Sequence, residues 1–489
     1  MFDRRSMLAG GTAMLATAAC SRSAPAVVGD GRNPLPIPPL LDTRVDRSFA
    51  LRVQSGTTSF HPGRPSTTLG YNGSYLGPTI LVRRGDDVAA TVTNGLAEDT
   101  TVHWHGLLIP GELDGGPHQI IAPGATWRPT LPIRQPAATL LYHSHVHGLT
   151  ARQVYSGLAG ALLVTDEEEE GLGLPSEYGT DDLPLIIQDR QLENGRLIVP
   201  AGMMVEMLGR RGNAIVVNGA VNPVATVPDR LVRLRLVNGS NARIYDLSFS
   251  DRRGFHWIGT EGGLLEKPVA LQSMTLAPGQ RVELLVNFTD GKGAALVTGA
   301  DPNSTMMGGM GMMGGRAGAT DADAPTTVLR FEPQPMGQAR ASDLVPALLA
   351  SRARADPVMA VRRRSLVLNM AMGGVMGARG GGRLTINGKP FEMKRIDETV
   401  KLGSTEIWTV SGEMMQHPFH IHGVHFEVLS RGGKKPGLLD QGPRDTVLVK
   451  EPVELLIRFD QPAMKAPFMY HCHILEHEDN GMMGQFSVV

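Results

Sequence analysis

Cysteine is almost missing from this 489-residue chain: only Cys20 and Cys472 occur, too few for a disulfide framework. A charge excess of one sign is also missing. Lys+Arg is 47 and Asp+Glu is 48, so the formal net charge is −1, and no basic surplus points to nucleic acid or an anionic membrane surface. Beyond the N-terminus no apolar run is long enough for a membrane helix. Aromatic residues are few, at 5%. With 42% hydrophobic and 19% charged residues the balance is that of a globular protein, which excludes a mainly disordered or fibrous chain. What is plentiful is Gly (59), Met (24) and His (15). Abundant Gly and Pro with few aromatics predicts many short strands and turns, and the length suggests roughly three domains.

Residues 1–20 read as an export signal. Arg4-Arg5 precedes Met7–Ala19, an uncharged run of small and apolar residues too short to span a bilayer. Arg4-Arg5-Ser6-Met7-Leu8 looks like a twin-arginine signal; a general secretory signal with a chance Arg pair is the alternative. Ala18-Ala19-Cys20 could be a lipoprotein cleavage site, with Thr17 where such sites usually carry an aliphatic residue. The mature chain is expected in the periplasm. Residues 21–41, with Pro25, Pro34, Pro36, Pro38 and Pro39, read as an extended leader outside the core. Short alternating runs such as Thr79–Val82, Val88–Val92 and Leu231–Val237 then dominate, as in antiparallel sandwiches. A weak repeat marks three units: Asn72-Gly73 with Asn94-Gly95, Asn218-Gly219 with Asn238-Gly239, and Asn387-Gly388 with Ser411-Gly412. Domains are expected at 42–168, 179–333 and 358–489. Acidic Asp166–Glu170 opens the first linker, and Asp343–Arg354 in the second could form a short helix.

Twelve of the 15 histidines fall in four clusters: His103/His105, His143/His145/His147, His417/His420/His422/His425 and His471/His473/His477. Imidazole is the commonest protein metal ligand, and packing does not explain such clustering. Strand alternation puts His103 with His105, His143 with His145, His420 with His422, and His471 with His473 on shared faces. His417 is an odd offset from His420 and should point elsewhere, and Cys472 takes the face opposite its two neighbours. Cys472-x4-His477-x4-Met482 supplies a thiolate, an imidazole and a thioether; with His417 it makes a His2Cys set with a weak axial Met, a blue-copper electron-transfer site. Structural zinc would need no thioether, and CxxC pairs are absent. The other eight, His103, His105, His143, His145, His420, His422, His471 and His473, call for a multinuclear site.

The chain resembles the multicopper oxidases, whose four motifs stand here as HWHG, HSHVHG, HPFHIHG and HCHILEHEDNGMM. Residues 111–117 and 135–139 look most like the bacterial periplasmic copper-efflux (cuprous) oxidases. The resemblance implies an all-β fold of three consecutive cupredoxin-like Greek-key β-sandwich domains, with a trinuclear cluster between the first and third. It implies four copper ions: type 1 at His417, Cys472, His477 and Met482; type 2 at His103 and His420; the type 3 pair at His105, His143, His145, His422, His471 and His473. His147 and His425 match no ligand position and read as structural. Electrons would pass from type 1 copper through Cys472 to His471 and His473, and dioxygen would be reduced to water. Asp114 and Glu478 match acids placed near the cluster, where they would deliver protons.

Two features bear on the reductant. Met306–Met313 is a Gly/Met segment, and Met370, Met372 and Met376 form a smaller group; thioethers suit Cu(I). Glu413 and Met415 lie where copper-efflux oxidases place an acid and a Met at a substrate copper site, and Met370 resembles another member. The family's long Met-rich insert is nearly absent, replaced by Gly377–Gly382, and Val375 stands about where a further acid is usual. Cu(I) is therefore the expected reductant, with phenols and diamines reaching an imidazole edge at His477 or His417. A general laccase-type phenol oxidase and a copper-sequestering protein are the alternatives. No nucleic-acid partner and a monomer are expected.

Overall fold

The computed structural model describes residues 32–304, 325–335, 344–352, 354–370 and 384–489. The export signal, Cys20, Met306–Met313, Met372, Val375, Met376 and Gly377–Gly382 lie outside the described residues.

The strands form six sheets in three pairs that follow one another along the chain. In the first pair, one sheet runs Leu40–Asp42, Thr79–Arg83, Ala159–Thr165, Ala138–His143, His103–His105, and the facing sheet centres on Ser48–Ser59. The start of Ser48–Ser59 alternates exposed and buried, so Phe49, Leu51 and Val53 enter the core with Val82, Val92 and Leu140. The second pair is built around Leu231–Asn238, buried along its whole length, and the third around Trp408, Phe459, Tyr470 and Phe486. This is an all-β fold of three cupredoxin-like sandwiches.

The repeat seen in the sequence has a physical basis. Asn72, Asn218 and Asn387 adopt φ of 56°, 50° and 53°, the left-handed region that Asn tolerates. Each side chain then braces an earlier strand. Its Oδ1 accepts the N–H of Arg52, Ile186 or Val367 at 2.7–2.8 Å, and its Nδ2 donates to the carbonyl two residues earlier, of Ala50, Pro184 or Ser365. Asn94 and Asn238 form a second matched pair, each accepting from the N–H two residues on. At Ser411 the N–H two residues on, of Glu413, donates to the Leu368 carbonyl instead (3.1 Å).

Two expectations are corrected. Part of the Pro-rich leader belongs to the sheets. Asn33–Pro34 pairs in parallel with Pro223–Val224, and Leu40–Asp42 with Thr79–Leu81. Both are edge strands, where proline's missing N–H costs no ladder bond. Leu35 and Ile37 pack on the second core and Leu41 on the first. Residues 344–352 form no helix. Pro346 lies within them, Leu349 N–H donates to the Glu266 carbonyl (3.0 Å) and Ser351 N–H to Glu168 (3.1 Å), so these donors pair across the chain.

Four short helices occur among the described residues: α1 (Thr150–Tyr155), α2 (Glu167–Glu170), α3 (Met203–Leu208) and α4 (Leu475–Asp479). Three of them meet near Cys472. α4 follows directly from the Phe468–Cys472 strand, α1 packs on α4 through Ala151, Val154 and Leu475, and Asp479 accepts the N–H groups of Gly148, Thr150 and Ala151. No described helix is long and apolar enough to cross a membrane.

Candidate metal centres

Register brings the motifs together. His143 pairs with His103 and Leu141 with His105 in the first unit; His420 pairs with His471 and Phe419 with Cys472 in the third. The eight clustered histidines and Cys472 are all 0–3% exposed.

His417 Nδ1 lies 3.4 Å from Cys472 Sγ, and His477 Nδ1 lies 3.5 Å from it. One metal with bonds of about 2.0–2.1 Å to nitrogen and about 2.3 Å to sulfur, at tetrahedral angles, would hold N and S roughly 3.5 Å apart. Met482 is fully buried; its N–H donates to the His477 carbonyl (2.9 Å) and its carbonyl accepts the Cys472 N–H (3.1 Å). These bonds fix the chain around the sulfur. Burial holds His417 down to about 4 and His477 to about 3, and pushes the Cys472 thiol far up. Neutral imidazoles have lone pairs free for a metal, and a cation at this point would reverse the thiol's shift.

The second set has three sub-clusters, each with its ligand atoms within 4.8 Å: His103/His105/His420, His105/His143/His473 and His145/His422/His471. In the last, His471 Nε2 is 3.2 Å from both His145 Nε2 and His422 Nε2. Nitrogens bonded to one tetrahedral metal stand roughly 3.3 Å apart, so these three converge as a ligand set does. His103 Nε2, His420 Nε2 and both nitrogens of His473 are buried with no hydrogen-bond partner. Buried polar atoms are nearly always paired, so such a concentration marks places built for cations. Burial and the neighbouring imidazoles hold His105, His145, His422, His471 and His473 well below the ordinary range, and His143 at about 3. The donors are the borderline nitrogen and soft sulfur that suit copper, and the residues present fit it.

Carboxylates close the set from outside. Asp114 Oδ2 is 2.7 Å from His422 Nδ1 and 3.4 Å from His103 Nδ1. Glu478 is fully buried, with its oxygens 3.3 Å from Nδ1 of His145 and of His471. Burial, with Asp479 adding repulsion, pushes the Glu478 carboxyl well above its usual range. His425 Nε2 lies 3.1 Å from the Gly106 carbonyl, and the His147 ring packs on Phe391 at 5.0 Å.

Sequence reasoning missed several residues here. Asp445 Oδ1 lies 3.1 Å from His105 Nε2, and its carbonyl lies 2.8 Å from His420 Nδ1. Burial raises this carboxyl, but Arg281, with His105, overrides that and holds it well below its usual range. The Arg281 guanidinium donates to both Asp445 oxygens, at 2.8 and 2.6 Å, and to the Thr139 carbonyl. The middle unit, which contributes none of the eight histidines, thus steadies the site through one arginine. Glu261, fully buried between Arg444 and Arg281, is pushed up to about 7 by burial. Nothing in the Arg444-Asp445-Thr446 or Gln280-Arg281-Val282 sequence signals these contacts.

The substrate side also differs from expectation. Neither His417 nor His477 offers an open edge: both are 0% exposed. His417 Nε2 lies 3.0 Å from the Glu413 carbonyl and His477 Nε2 lies 3.0 Å from the Met207 carbonyl. Backbone carbonyls cover both imidazoles, which sequence reasoning could not see because any residue supplies a carbonyl. Met415 and Met370 are buried beside the third core, and exposed Met414 adopts φ of 65° in the turn that carries Glu413 and Met415. Asn303 exchanges hydrogen bonds with Gln416, next to His417.

A buried His2Cys set beside a cluster of eight convergent imidazoles defines a copper protein of the cupredoxin class. Residues 52–169 and 363–489 match multicopper oxidase family models. The bacterial laccase-like multi-copper oxidase CueO from Ochrobactrum sp. is 39% identical with a TM-score of 0.84, covering 93% of this chain and 100% of that one. The multicopper oxidase mco of Staphylococcus aureus is 36% identical over 94% of this chain and 93% of its own length. The cell division protein FtsP of Xenorhabdus nematophila is 39% identical over 93% of this chain and 92% of its own. The chain belongs to the multicopper oxidase family.

Proposed function

We propose that this protein is a periplasmic oxidase that couples one-electron oxidation of Cu(I) to the four-electron reduction of dioxygen to water, and so serves copper tolerance. The observation that carries this reading is the complete donor set: His417, Cys472, His477 and Met482 at one centre and eight imidazoles at the other. We take them as type 1 copper, type 2 at His103 and His420, and a type 3 pair at His105, His143, His473 and His145, His422, His471, four ions in all. Bound copper supplies the redox chemistry. The chain supplies the wiring: Cys472 takes an electron at its sulfur, and the peptide bonds to His471 and His473 make the path onward a few bonds long. Asp114 and Glu478, within reach of the imidazoles of the eight-histidine site, relay protons to it as dioxygen accepts four electrons and four protons. Glu413, Met415 and Met370 make a substrate Cu(I) site on the His417 side. With both imidazole edges covered, phenols and diamines are slower reductants. We take the three domains as 42–168, 179–333 and 358–489, with Asn33–Pro34 and Leu40–Asp42 lending edge strands to the second and the first.

The relatives named cell division protein FtsP support a second reading, a role in division without oxidase turnover. Copper analysis and dioxygen uptake separate the two. The oxidase reading expects about four coppers per chain, an intense blue absorption lost in Cys472→Ser, and dioxygen uptake driven by Cu(I). Glu478→Gln should slow uptake with every reductant by about 10²-fold or more, the scale of general acid catalysis, at near wild-type copper content. A colourless protein that takes up no copper rejects the reading.

A further inference from the structure

The two imidazoles of the His417–Cys472–His477 set are covered in the same way. Each turns Nδ1 toward the sulfur and Nε2 toward a backbone carbonyl, Glu413 for His417 and Met207 for His477, both at 3.0 Å. With Nδ1 as the metal-facing atom, Nε2–H is the donor. On the first side the carbonyl belongs to a segment carrying Glu413 and Met415. On the second it belongs to α3, whose sequence is Met203-Met204-Val205-Glu206-Met207-Leu208.

On a helix, Met203 and Met207 are four residues apart and Met204 and Met207 three apart, so all three thioethers fall within one turn, with Glu206 three residues after Met203. Met203 and Met204 are 57% and 51% exposed, while Met207 packs against the third core. The helix is held in place. Gly209, at its end, lies so close to Ala242 and Ile474 that a Cβ would meet their side chains at 2.3 and 2.7 Å, and Arg210 donates to Glu476 of α4 at 2.9 Å. A soft-donor turn is thereby fixed with one end on the solvent and the other hydrogen-bonded to His477.

We infer that α3 is a second docking site for a soft monovalent cation, Cu(I), formed by the thioethers of Met203, Met204 and Met207 with Glu206 as counter-charge. From it an electron enters through the Met207 carbonyl and the His477 imidazole. Each Cu(I) gives up one electron and leaves as Cu(II). Four such electrons, with four protons, convert one dioxygen to two waters. Cu(II) is harder than Cu(I) and binds an all-thioether site more weakly, so the product is released where the substrate was held. The inference rests on the oxidase reading above and adds a route on the His477 side to the one at Glu413 and Met415.

The test uses copper-loaded enzyme and the double variant Met203→Leu/Met204→Leu, a volume-conserving change that leaves the fold intact. Ag(I), a redox-inert stand-in for Cu(I), is titrated by equilibrium dialysis. Anaerobic bleaching of the blue absorption is followed with Cu(I) and with a phenol. The inference expects one Ag(I) fewer per chain, or that ion held at least about tenfold more weakly, and a roughly tenfold fall in the ratio of Cu(I) to phenol bleaching rates. Unchanged Ag(I) binding overturns it, as does weakened binding with an unchanged ratio. If no reductant bleaches the wild-type enzyme, the oxidase reading fails, and the Ag(I) count in the same protein still decides whether α3 holds a soft cation.

Discussion

Arg281 and Glu283 stand two residues apart on one strand and serve two buried polar clusters of opposite design. Glu283 belongs to a lattice with Arg233, Arg235, Asp182 and Glu169, every member nine-tenths buried or more. Arg235 grips both Asp182 oxygens at 2.7 and 2.9 Å, Arg233 donates to Glu283 at 2.9 Å and meets Glu169 at 2.6 Å, and Thr139 donates to Glu283 at 2.7 Å. Two cations and three carboxylates satisfy one another, and the lattice joins the first unit to the second with nothing added. Arg281 instead reaches Asp445 and, through it, His105 and His420. There the eight imidazoles turn nitrogen toward nitrogen, several with no partner. The lattice is complete as folded; the histidine cluster is folded around charge the chain does not contain. Burial alone therefore does not mark a functional site, whereas a concentration of unmet imidazole nitrogens does.

Removing the added charge should give the largest effect. Ligand bound only by the folded state stabilises by about 4 kcal/mol per site when free copper exceeds its Kd about 1,000-fold. Stripping copper with a chelator should lower the calorimetric Tm more than any single substitution, and re-addition should restore it. An equal Tm with and without copper would show that the cluster needs no cation.

Breaking the lattice comes next. Arg235→Met strands Asp182 and Glu283, and losing one partner of a buried pair costs about 3–5 kcal/mol. Urea unfolding of the copper-loaded protein should show this at unchanged copper content. A second change, Glu283→Leu, should recover part of it; no recovery would mean the two residues do not act as a pair.

Acid should find the lattice in a defined window. Burial raises the Glu283 carboxyl, but Arg233 and Arg235 override that and hold it at about 2, against about 4.3 for an unfolded Glu. The folded value is the lower one, so this stability is complete above about pH 5 and is lost as pH falls from there toward 2, on the order of 3 kcal/mol in all. In Glu283→Gln the fall in stability across that window should be shallower; an identical fall would remove Glu283 as a contributor.

The smallest expected effect, read as copper affinity, lies where the two designs meet. Asp445→Asn leaves Arg281 without its counter-ion and loosens the orientation of His105 and His420. Loss of such an outer partner typically costs 10–100-fold in metal affinity, or about 1.4–2.7 kcal/mol. Competition with a graded chelator should show weakened copper retention with the blue absorption intact, since Asp445 touches none of His417, Cys472 or His477. Retention equal to wild type would confine Asp445 to fold stability.

Much of the molecule was legible in the sequence because its signals are local. Strand alternation alone puts His103 with His105 and His471 with His473, and opposes Cys472 to its neighbours. The Asn-Gly turns announced three units because left-handed backbone demands Asn or Gly wherever the fold recurs. The leader misled, because prolines that argue against a central strand are acceptable at an edge. What only the tertiary structure decided are contacts made by groups with no signature of their own. Arg281, at the start of one strand, and Asp445, just before another, carry no signature of their own, and they become partners because the second and third units meet there. The carbonyls of Glu413 and Met207 could belong to any residue, and only packing lays them against His417 and His477. The sequence by itself determined which atoms can bind metal, because donor chemistry belongs to side chains. The tertiary structure decided which of those atoms converge and which imidazole edges are closed, because convergence and closure depend on distance across the fold.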